Sequence, residues 1–166
     1  MAVKPTDYWT FFCNPAFWDV ERFLSNEISQ DTYLITDWQK NWFHPGQLGV
    51  LRVGTDKRKK SQLAGKSKLN PGIYAIVEVL GTPRERRTDK DEYWHHPPHP
   101  LSARLVVDVR YVKNMLKMPL LLATLKTDPL IEDPYLIKGF QASTMPLKPE
   151  TFNRITSLLN DLEPGG

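Results

Sequence analysis

Tryptophans followed by a dense run of positive charge are the residues of this sequence best suited to chemistry. Four of the five tryptophans lie within the first 42 residues: Trp9, Trp18, Trp38 and Trp42. A basic loop, residues 52–70, follows directly, and its cations are Arg52, Lys57, Arg58, Lys59, Lys60, Lys66 and Lys68. Flat aromatic faces stack on nucleobases, and closely spaced cations bind phosphates. This combination indicates a protein that binds nucleic acid.

The positive charge is concentrated in the basic loop. The chain of 166 residues has a net charge of +3, whereas the loop holds seven cations and Asp56, a charge of +6, which leaves the remainder at about −3. Arg84, Arg86 and Arg87 extend the positive surface further along the chain. A local basic patch on an otherwise acidic body favours a directed contact with phosphates. The alternative is a solvated loop whose lysines serve solubility.

Length and composition are those of an ordinary globular domain. The length fits one domain, residues 1–166, with enough chain to bury a core. No apolar run is long enough to span a membrane, and the N-terminus lacks the apolar stretch of a signal peptide. The single cysteine, Cys13, cannot form an internal disulfide, which is typical of a reducing cytosol. We therefore expect a cytoplasmic protein with no membrane partner.

Apolar patterning predicts a series of short strands, with helices after the first strand and at the end. Strands are predicted at residues 8–13, 32–35, 48–53, 73–80, 104–112 and 141–145. Helices are predicted after residues 14–15, at residues 119–125 and at about residues 149–162, and residues 82–101 are predicted to form a long exposed loop. Because these elements do not alternate as βαβ units, we predict an α+β fold, a small twisted β-barrel flanked by helices.

Three segments resemble one known family, in the same order along the chain. YWTFFCNP of residues 8–15 resembles the first strand and turn of EVE domains, GIYAIVEV of residues 72–79 their central strand, and FQASTMPL of residues 140–147 their ending. Residues 11–14, FFCN, stand where many bacterial members read W-L-x-K-S-E-P, a departure that concerns the ligand rather than the fold.

The resemblance carries expectations about fold and function. EVE domains belong to the PUA-like superfamily and are related to the YTH readers of methylated adenine. The resemblance therefore implies a PUA-like pseudo-barrel that binds a modified base of DNA or RNA. The base would be flipped out and enclosed by aromatic side chains. Some members are fused to nuclease or ATPase modules in restriction systems, and such a module is an expected partner here.

Tryptophans in a polar context are the predicted walls of the base pocket. Trp38 and Trp42 lie in the polar segment 36–42, TDWQKNW, whereas a core tryptophan is more typical of an apolar strand. Packing against the barrel is the alternative for each of them. For Trp9, on the first strand, the pocket and the core stay equally open. Trp18 is expected to be structural, because it lies beside the apolar stripe of the helix predicted after residues 14–15, which consists of Phe17, Val20, Leu24 and Ile28.

Polar residues near strand ends complete the predicted pocket: Asn14, Asp37, Tyr74, Ser143 and Thr144. Asn14 follows the first strand, where related readers bind the base through an Asn or Ser, and capping the next helix is its alternative. Asp37 is suited to accept a hydrogen bond from an exocyclic amine, or is a turn residue. Tyr74 lines the pocket or packs in the barrel, and Ser143 and Thr144 are expected to meet a phosphate or a base edge.

The histidine-rich stretch does not fit a metal site. His95, His96 and His99 lie near Asp91 and Glu92, but the spacing HHPPH matches no structural zinc pattern. The sequence holds no Gly-x-Ser-x-Gly, P-loop or dinucleotide motif. We predict no metal, no cofactor and no catalytic residue, and expect this stretch to contact a phosphate or a groove.

The sequence therefore predicts a non-enzymatic reader of modified nucleobases in DNA or RNA. Such a reader would be the recognition module of a modification-dependent restriction or RNA-regulatory protein. A nuclease or ATPase activity would lie in another domain, and residues 163–166 read as the start of a linker. Two alternatives stay open. One is a small-molecule or RNA-processing enzyme using His95, His96 or Asp37 as acid or base, and the other is a protein-interaction module.

Overall fold

Eight strands and five α-helices make up the described part of the chain. The computed structural model describes residues 3–87, 92–96, 105–139 and 142–162. The strands are β1 (Tyr8–Cys13), β2 (Gln30–Leu34), β3 (Leu48–Val53), β4 (Gly72–Val79), β5 (Arg84–Glu85), β6 (Leu105–Asn114), β7 (Leu120–Leu121) and β8 (Thr144–Pro146). The helices are α1 (Val20–Ser25), α2 (Lys60–Leu63), α3 (Leu122–Thr127), α4 (Pro134–Lys138) and α5 (Pro149–Leu162), and a 3-10 helix (Asp37–Trp42) lies between β2 and β3.

The strands form one curled, mixed sheet. Its order is β2-β6-β4-β3-β1-β8, with β5 beside β6 and β7 beside β4. β1 and β3 run parallel and in register, so Cys13 lies opposite Val53 at their ends. Hydrogen bonds between Thr36 and Thr144 join the chain after β2 to β8, which brings the two edges of the sheet together. The predicted α+β class and the barrel flanked by helices are confirmed.

Apolar side chains on both faces of the sheet hold the fold together. Leu51 packs in one cluster with Trp9, whereas Val50 packs in a second cluster with Ile155 of α5. This split follows from strand geometry, because successive side chains point to opposite faces. Burying one such aliphatic side chain contributes about 1.5–3 kcal/mol. Residues at the strand ends are thereby held in fixed positions.

The first helix begins later than the sequence pattern predicts. Asn14 does not cap it; instead the Asn14 Oδ1 accepts a hydrogen bond from the backbone N–H of Ala16, at 3.0 Å. The helix begins at Val20 after Asp19, whose side chain caps it. Phe17, expected on the buried helix stripe, lies before the helix and is 50% exposed. A turn therefore occupies the space immediately after β1.

Strand pairing shifts two further predicted boundaries. β7 pairs with the first two residues of β4, so the helix expected from residue 119 begins only at Leu122. β5 pairs with β6 inside the segment expected to be a loop. The start of the predicted strand at 141–145, and the linker predicted at 163–166, lie outside the described residues. Among the helices described, none combines the length and apolar character needed to cross a membrane.

Candidate functional site

A large cavity opens where the parallel strands β1 and β3 end. Its volume is about 1530 Å³. Phe12 and Cys13 reach it from β1 and Asn14 from the turn that follows, while Gly54 and Thr55 reach it from the chain after β3. Because the two strands run in the same direction, both of these connecting segments lie at the same end of the sheet. This end is the candidate site.

Aromatic side chains line one part of the cavity: Phe12, Phe17, Trp18, Tyr33, Tyr93 and Trp94. Trp18 and Trp94 lie next to each other in an isolated β-bridge, with ring centroids 6.4 Å apart. Phe17 is half exposed and makes an edge contact with the ring of His96. Rings arranged in this way offer apolar faces to a flat ligand.

One short stretch, residues 92–96, supplies much of this wall, and we call it the wall segment. It is fastened to the turn after β1 through main-chain atoms. The backbone N–H of Asp19 donates to the carbonyl of Tyr93 at 2.6 Å, and that of His95 donates to the carbonyl of Phe17 at 2.7 Å. The aromatic wall therefore combines the turn after β1 with a segment more than seventy residues further along the chain.

Asn14 lies at the edge of this wall and is half-buried. Its Oδ1 accepts from Ala16, as described above, which fixes the orientation of the amide. The Nδ2 donors make no hydrogen bond to any part of the chain that the structure describes. They are suited to donate to an acceptor on a bound base, which is the role predicted for this residue.

The charge of the cavity is strongly positive. Seven cations line it, namely Arg52, Lys57, Arg84, Arg86, Arg87, Lys126 and Lys138, against one carboxylate, Asp31, among the described residues. Arg84 forms an ion pair with Asp108 at 2.9 Å. An excess of positive charge in a concave site attracts anions and concentrates them there.

Arg52 is the most deeply placed of these cations and is 4% exposed. Its Nε donates to the carbonyl of Leu136 at 2.8 Å, and its two Nη atoms donate to the carbonyls of Val53 and Ile137 at 2.7 and 3.1 Å. Burial lowers the pKa of Arg52 below its ordinary value. The side chain thus joins β3 to α4 while facing the cavity.

Arg58, predicted to bind phosphate, is instead buried in an ion-pair network. It is 4% exposed, and its Nη atoms lie 2.6 Å from Asp56 Oδ2 and 2.8 Å from Glu21 Oε1. The hydrogen bond to Asp56 is the main cause that raises the pKa of Arg58. Its charge is neutralised inside the protein, so we remove Arg58 from the candidate phosphate-binding residues.

The rest of the basic loop divides into two groups. Lys57, like Arg52, lines the cavity, so the loop begins beside the candidate site. Lys59, Lys60, Lys66 and Lys68 are exposed on and around α2 and do not line it. Exposed lysines of this kind can reach the backbone of a long nucleic acid, and phosphate binding by them stays a prediction.

Two residues that sequence reasoning offered to the pocket are placed in the core. Trp9 is 1% exposed, stacks on Phe43 with ring centroids 3.8 Å apart, and donates from Nε1 to Gln47. Tyr74 is 2% exposed and donates its hydroxyl to the carbonyl of Asn70. Both side chains are satisfied internally and neither lines the cavity, so the core alternative describes their placement.

Trp38, Trp42 and Asp37 lie on the 3-10 helix and do not line the cavity. Gln47, immediately before β3, donates to the carbonyl of Trp42 at 2.8 Å. This contact lies at the start of β3, whereas the cavity lies at the end of the same six-residue strand, roughly 17 Å away at the usual rise per residue. Trp38 is 60% exposed and makes an edge contact with Trp42. The predicted aromatic wall at the pocket mouth is therefore not formed by this pair.

Ser143 and Thr144 are adjacent in sequence but differ in placement. Ser143 lines the cavity, and its carbonyl accepts from the backbone N–H of Phe12 at 2.9 Å. Thr144 is fully buried, and its hydroxyl donates to Gln39 Oε1 at 2.9 Å. Of the pocket residues predicted from sequence, the cavity thus brings together Asn14 and Ser143.

The histidine stretch contributes to the wall rather than to a metal cluster. His96 lines the cavity, and His95 Nε2 lies 3.8 Å from Asp19 Oδ2. No group of three or more metal-ligating side chains occurs within the described ranges, and Asp91 and His99 fall outside them. Burial raises the pKa of the Cys13 thiol well above its ordinary range, which makes it a poor nucleophile.

Sequence reasoning missed several residues that line the cavity: Phe17, Tyr33, Tyr93, Trp94, Lys126 and Lys138. Trp94 was the one signal available, as a tryptophan within a polar, proline-rich stretch. Lys126 and Lys138 lie singly on short helices, so no charge run marks them. Their common position depends on the packing of α3 beside α4, which no local pattern reveals.

Comparisons with known proteins agree on one family. The sequence profile of the EVE domain matches residues 64–158, more than half of the chain. A search of curated protein sequences returned no match. Similar solved structures include a hypothetical protein of Leishmania major, with a TM-score of 0.63 and 17% identity over 96% of this chain and 98% of that one.

Two other solved structures share the fold along nearly their whole length. A Pseudomonas syringae protein has a TM-score of 0.60 and 20% identity, covering 91% of this chain and 98% of that one. Human THYN1, solved in complex with DNA containing 5-methylcytosine, has a TM-score of 0.61 and 17% identity, covering 95% of this chain and 99% of that one. The profile match over more than half of its length shows that this chain belongs to the EVE domain family.

Proposed function

We propose that this domain reads modified nucleobases by taking a flipped-out base of DNA or RNA into the cavity at the ends of β1 and β3. The observation that carries the proposal is the composition of that cavity. Aromatic rings line one part of it, and seven cations face it against one carboxylate among the described residues. A base with its attached phosphates has the complementary character, a flat apolar face joined to negative charge.

Stacking would supply most of the affinity for a base, whereas hydrogen bonds would supply the selectivity. Stacking on the half-buried ring of Trp94 would supply ~1–3 kcal/mol per base. A methyl group buried against it adds about 0.8 kcal/mol, which alone discriminates weakly. Selectivity for one base must then come from hydrogen bonds to the edge of that base, and the Nδ2 donors of Asn14 are placed to make one.

The structural neighbours support the same class of ligand. THYN1, which shares the fold, was solved with DNA that contains 5-methylcytosine. We extend to this chain the binding of a modified base, without fixing its identity. We also propose that the domain only binds: a nuclease or ATPase, and a role in restriction or RNA regulation, would belong to an associated module. The unpaired thiol of Cys13 suits a reader that works in the cytoplasm.

A panel of oligonucleotides tests this proposal directly. Each carries one methylated or hydroxymethylated base, as DNA or RNA and as single or double strand, beside its unmodified control. We expect one modification to bind more tightly than its control, and Trp94→Ala to weaken the binding of that strand. Trp38→Ala is the matched control, since Trp38 is exposed away from the cavity. Equal affinity for all modified and unmodified strands would overturn the reader proposal.

A further inference from the structure

We infer that the cavity contains a second phosphate subsite, in which Lys126 and Lys138 hold a phosphodiester above the buried guanidinium of Arg52. The lysines reach the cavity from α3 and α4, whereas much of the aromatic wall comes from the turn after β1 and from the wall segment. The inference rests on the proposed function and adds to it how the strand on either side of the inserted base is bound. It also assigns a ligand to two lysines that no sequence pattern singles out.

Lys126 and Lys138 come from two helices that pack beside each other. Lys126 lies in the last turn of α3, and Lys138 is the last residue of α4. α3 follows β7, and its first residue, Leu122, donates its N–H to the carbonyl of Pro71 at 2.9 Å. Both lysine side chains are exposed and line the cavity together with Arg52. Flexible ammonium groups at the rim of a concavity are suited to bind a phosphate.

The buried positive charge of Arg52 favours the binding of an anion in this part of the cavity. Three of its five guanidinium N–H groups donate to backbone carbonyls, which leaves two for another acceptor. No carboxylate of the described residues pairs with it, although it is 4% exposed. The carbonyls at the end of α4 compensate its charge only in part, because they carry partial charges. A buried cation without a counter-ion is costly, so an anion bound here is favoured.

The other cations reach the cavity from different elements. β7 pairs with the first residue of β4, Gly72, and Gly72 also pairs with Val53, so α3 lies at the same end of the sheet as Arg52. Arg84, Arg86 and Arg87 lie instead on and after β5, which pairs with the first residues of β6. A strand of several nucleotides, unlike a lone base, carries enough phosphates to contact both groups of cations.

Paired double variants test the subsite. Lys126→Ala/Lys138→Ala removes the proposed contacts, whereas Lys40→Ala/Lys117→Ala removes two exposed lysines that do not line the cavity. The probes are single-stranded DNAs of increasing length with one central 5-methylcytosine, the same strands unmodified, and the free 5-methylcytosine nucleoside. Affinity is measured across a series of salt concentrations, and the melting temperature shows that each variant is folded.

We expect the slope of log affinity against log salt to become shallower by roughly 1.4 in Lys126→Ala/Lys138→Ala, as for two lost contacts to a single strand. The effect should be present with the long strands, absent with the free nucleoside, and absent in the control variant. An unchanged slope, or an equal change in both variants, would overturn the subsite. The reader proposal fails separately, if the wild-type protein prefers no modified strand over its control. The slope tests the subsite even then, because unmodified strands carry the same phosphates.

Discussion

The two ends of the β1–β3 pair contain similar residue types and put them to different uses. At the start of the strands, Trp9 stacks on Phe43 and donates to Gln47, which closes that end with apolar packing. At the other end, Trp94 is only half-buried and lines an open cavity surrounded by cations, whereas Trp18 beside it is 7% exposed. Aromatic rings are therefore structural where neighbouring rings cover them, as for Trp9 and Trp18, and are available to a ligand where the sheet leaves a gap.

The two ends also differ in what stabilises them. Beneath the cavity end, the buried pair of Asp56 and Arg58 fixes the basic loop, and Asp56 Oδ2 also accepts from the backbone N–H of Leu69 at 2.9 Å. The cations of the basic loop thus serve two purposes. Arg58 stabilises the loop from inside the protein, and Lys57 presents its charge to the cavity.

The largest effect is expected from Trp9→Ala, at the closed end. Truncating a buried tryptophan costs about 3–5 kcal/mol of the free energy of unfolding, and the lost hydrogen bond to Gln47 adds to this. Urea unfolding measures the loss. The salt dependence of nucleic-acid binding should be unchanged for the folded fraction, because the cavity lies at the other end. A binding defect larger than the unfolded fraction explains would contradict the division between the ends.

Asp56→Ala should lower the free energy of unfolding by about 3–5 kcal/mol at pH 7, because it leaves the Arg58 charge buried with only Glu21. Lys57→Ala is the neighbouring control and should change stability by less than about 0.5 kcal/mol. If the two variants were equally stable, the loop would not depend on this ion pair.

The same ion pair predicts how stability depends on pH. Burial alone would raise the pKa of Asp56, but hydrogen bonds from the Arg58 side chain and from the N–H groups of Leu69 and Arg58 hold it below its ordinary value of 3.8. The carboxylate therefore stabilises the fold fully above that value, and this contribution is lost as the pH falls below it. The stability difference between wild type and Asp56→Ala should shrink over the same acidic range. A difference that stays constant down to that range would contradict the depressed pKa.

Trp94→Ala, at the open end, should weaken binding of the preferred modified strand by about 5- to 150-fold, as expected for ~1–3 kcal/mol of stacking. Trp94→Phe should retain part of the affinity, since a smaller ring still stacks. Affinity and melting temperature are measured together. A fall in melting temperature with unchanged affinity would show that Trp94 only packs against Trp18.

The smallest effect is expected from Trp38→Ala. Trp38 is 60% exposed and contacts Trp42 on the 3-10 helix. Its removal should change the free energy of unfolding by less than about 0.5 kcal/mol and leave the affinity for nucleic acid unchanged. A clear loss of affinity would restore the polar segment 36–42 to the site and show that the ligand extends beyond the cavity.

Sequence patterns predicted the elements well where a strand is buried on both faces. β3 and β1 begin and end as expected, because their nearly continuous apolar runs are buried in the two clusters. The boundaries that moved depend on long-range partners: the pairing of β7 with β4, and the fastening of the wall segment to the turn before Asp19. Contacts of this kind leave no trace in local periodicity.

The residue types of the site were predictable from the sequence, whereas their positions in the fold were less predictable. Asn14, Arg52 and Lys57 were expected and do line the cavity. The expectation for Trp38 assumed that a tryptophan in a polar segment faces a ligand, whereas polarity indicates exposure and not which end of the barrel is exposed. Arg58 could not be separated from its lysine neighbours, because pairing with Asp56 and Glu21 is decided by the fold.

The way the wall segment is attached makes its side chains exchangeable. Main-chain hydrogen bonds from Asp19 to Tyr93 and from His95 to Phe17 hold it in place, and these do not depend on which residues occupy positions 94 and 96. Evolution, or a designer, can therefore vary the surface that faces a base without rebuilding the barrel. One scaffold of this kind could be adapted to a series of chemical marks by changing a few residues in a single short stretch.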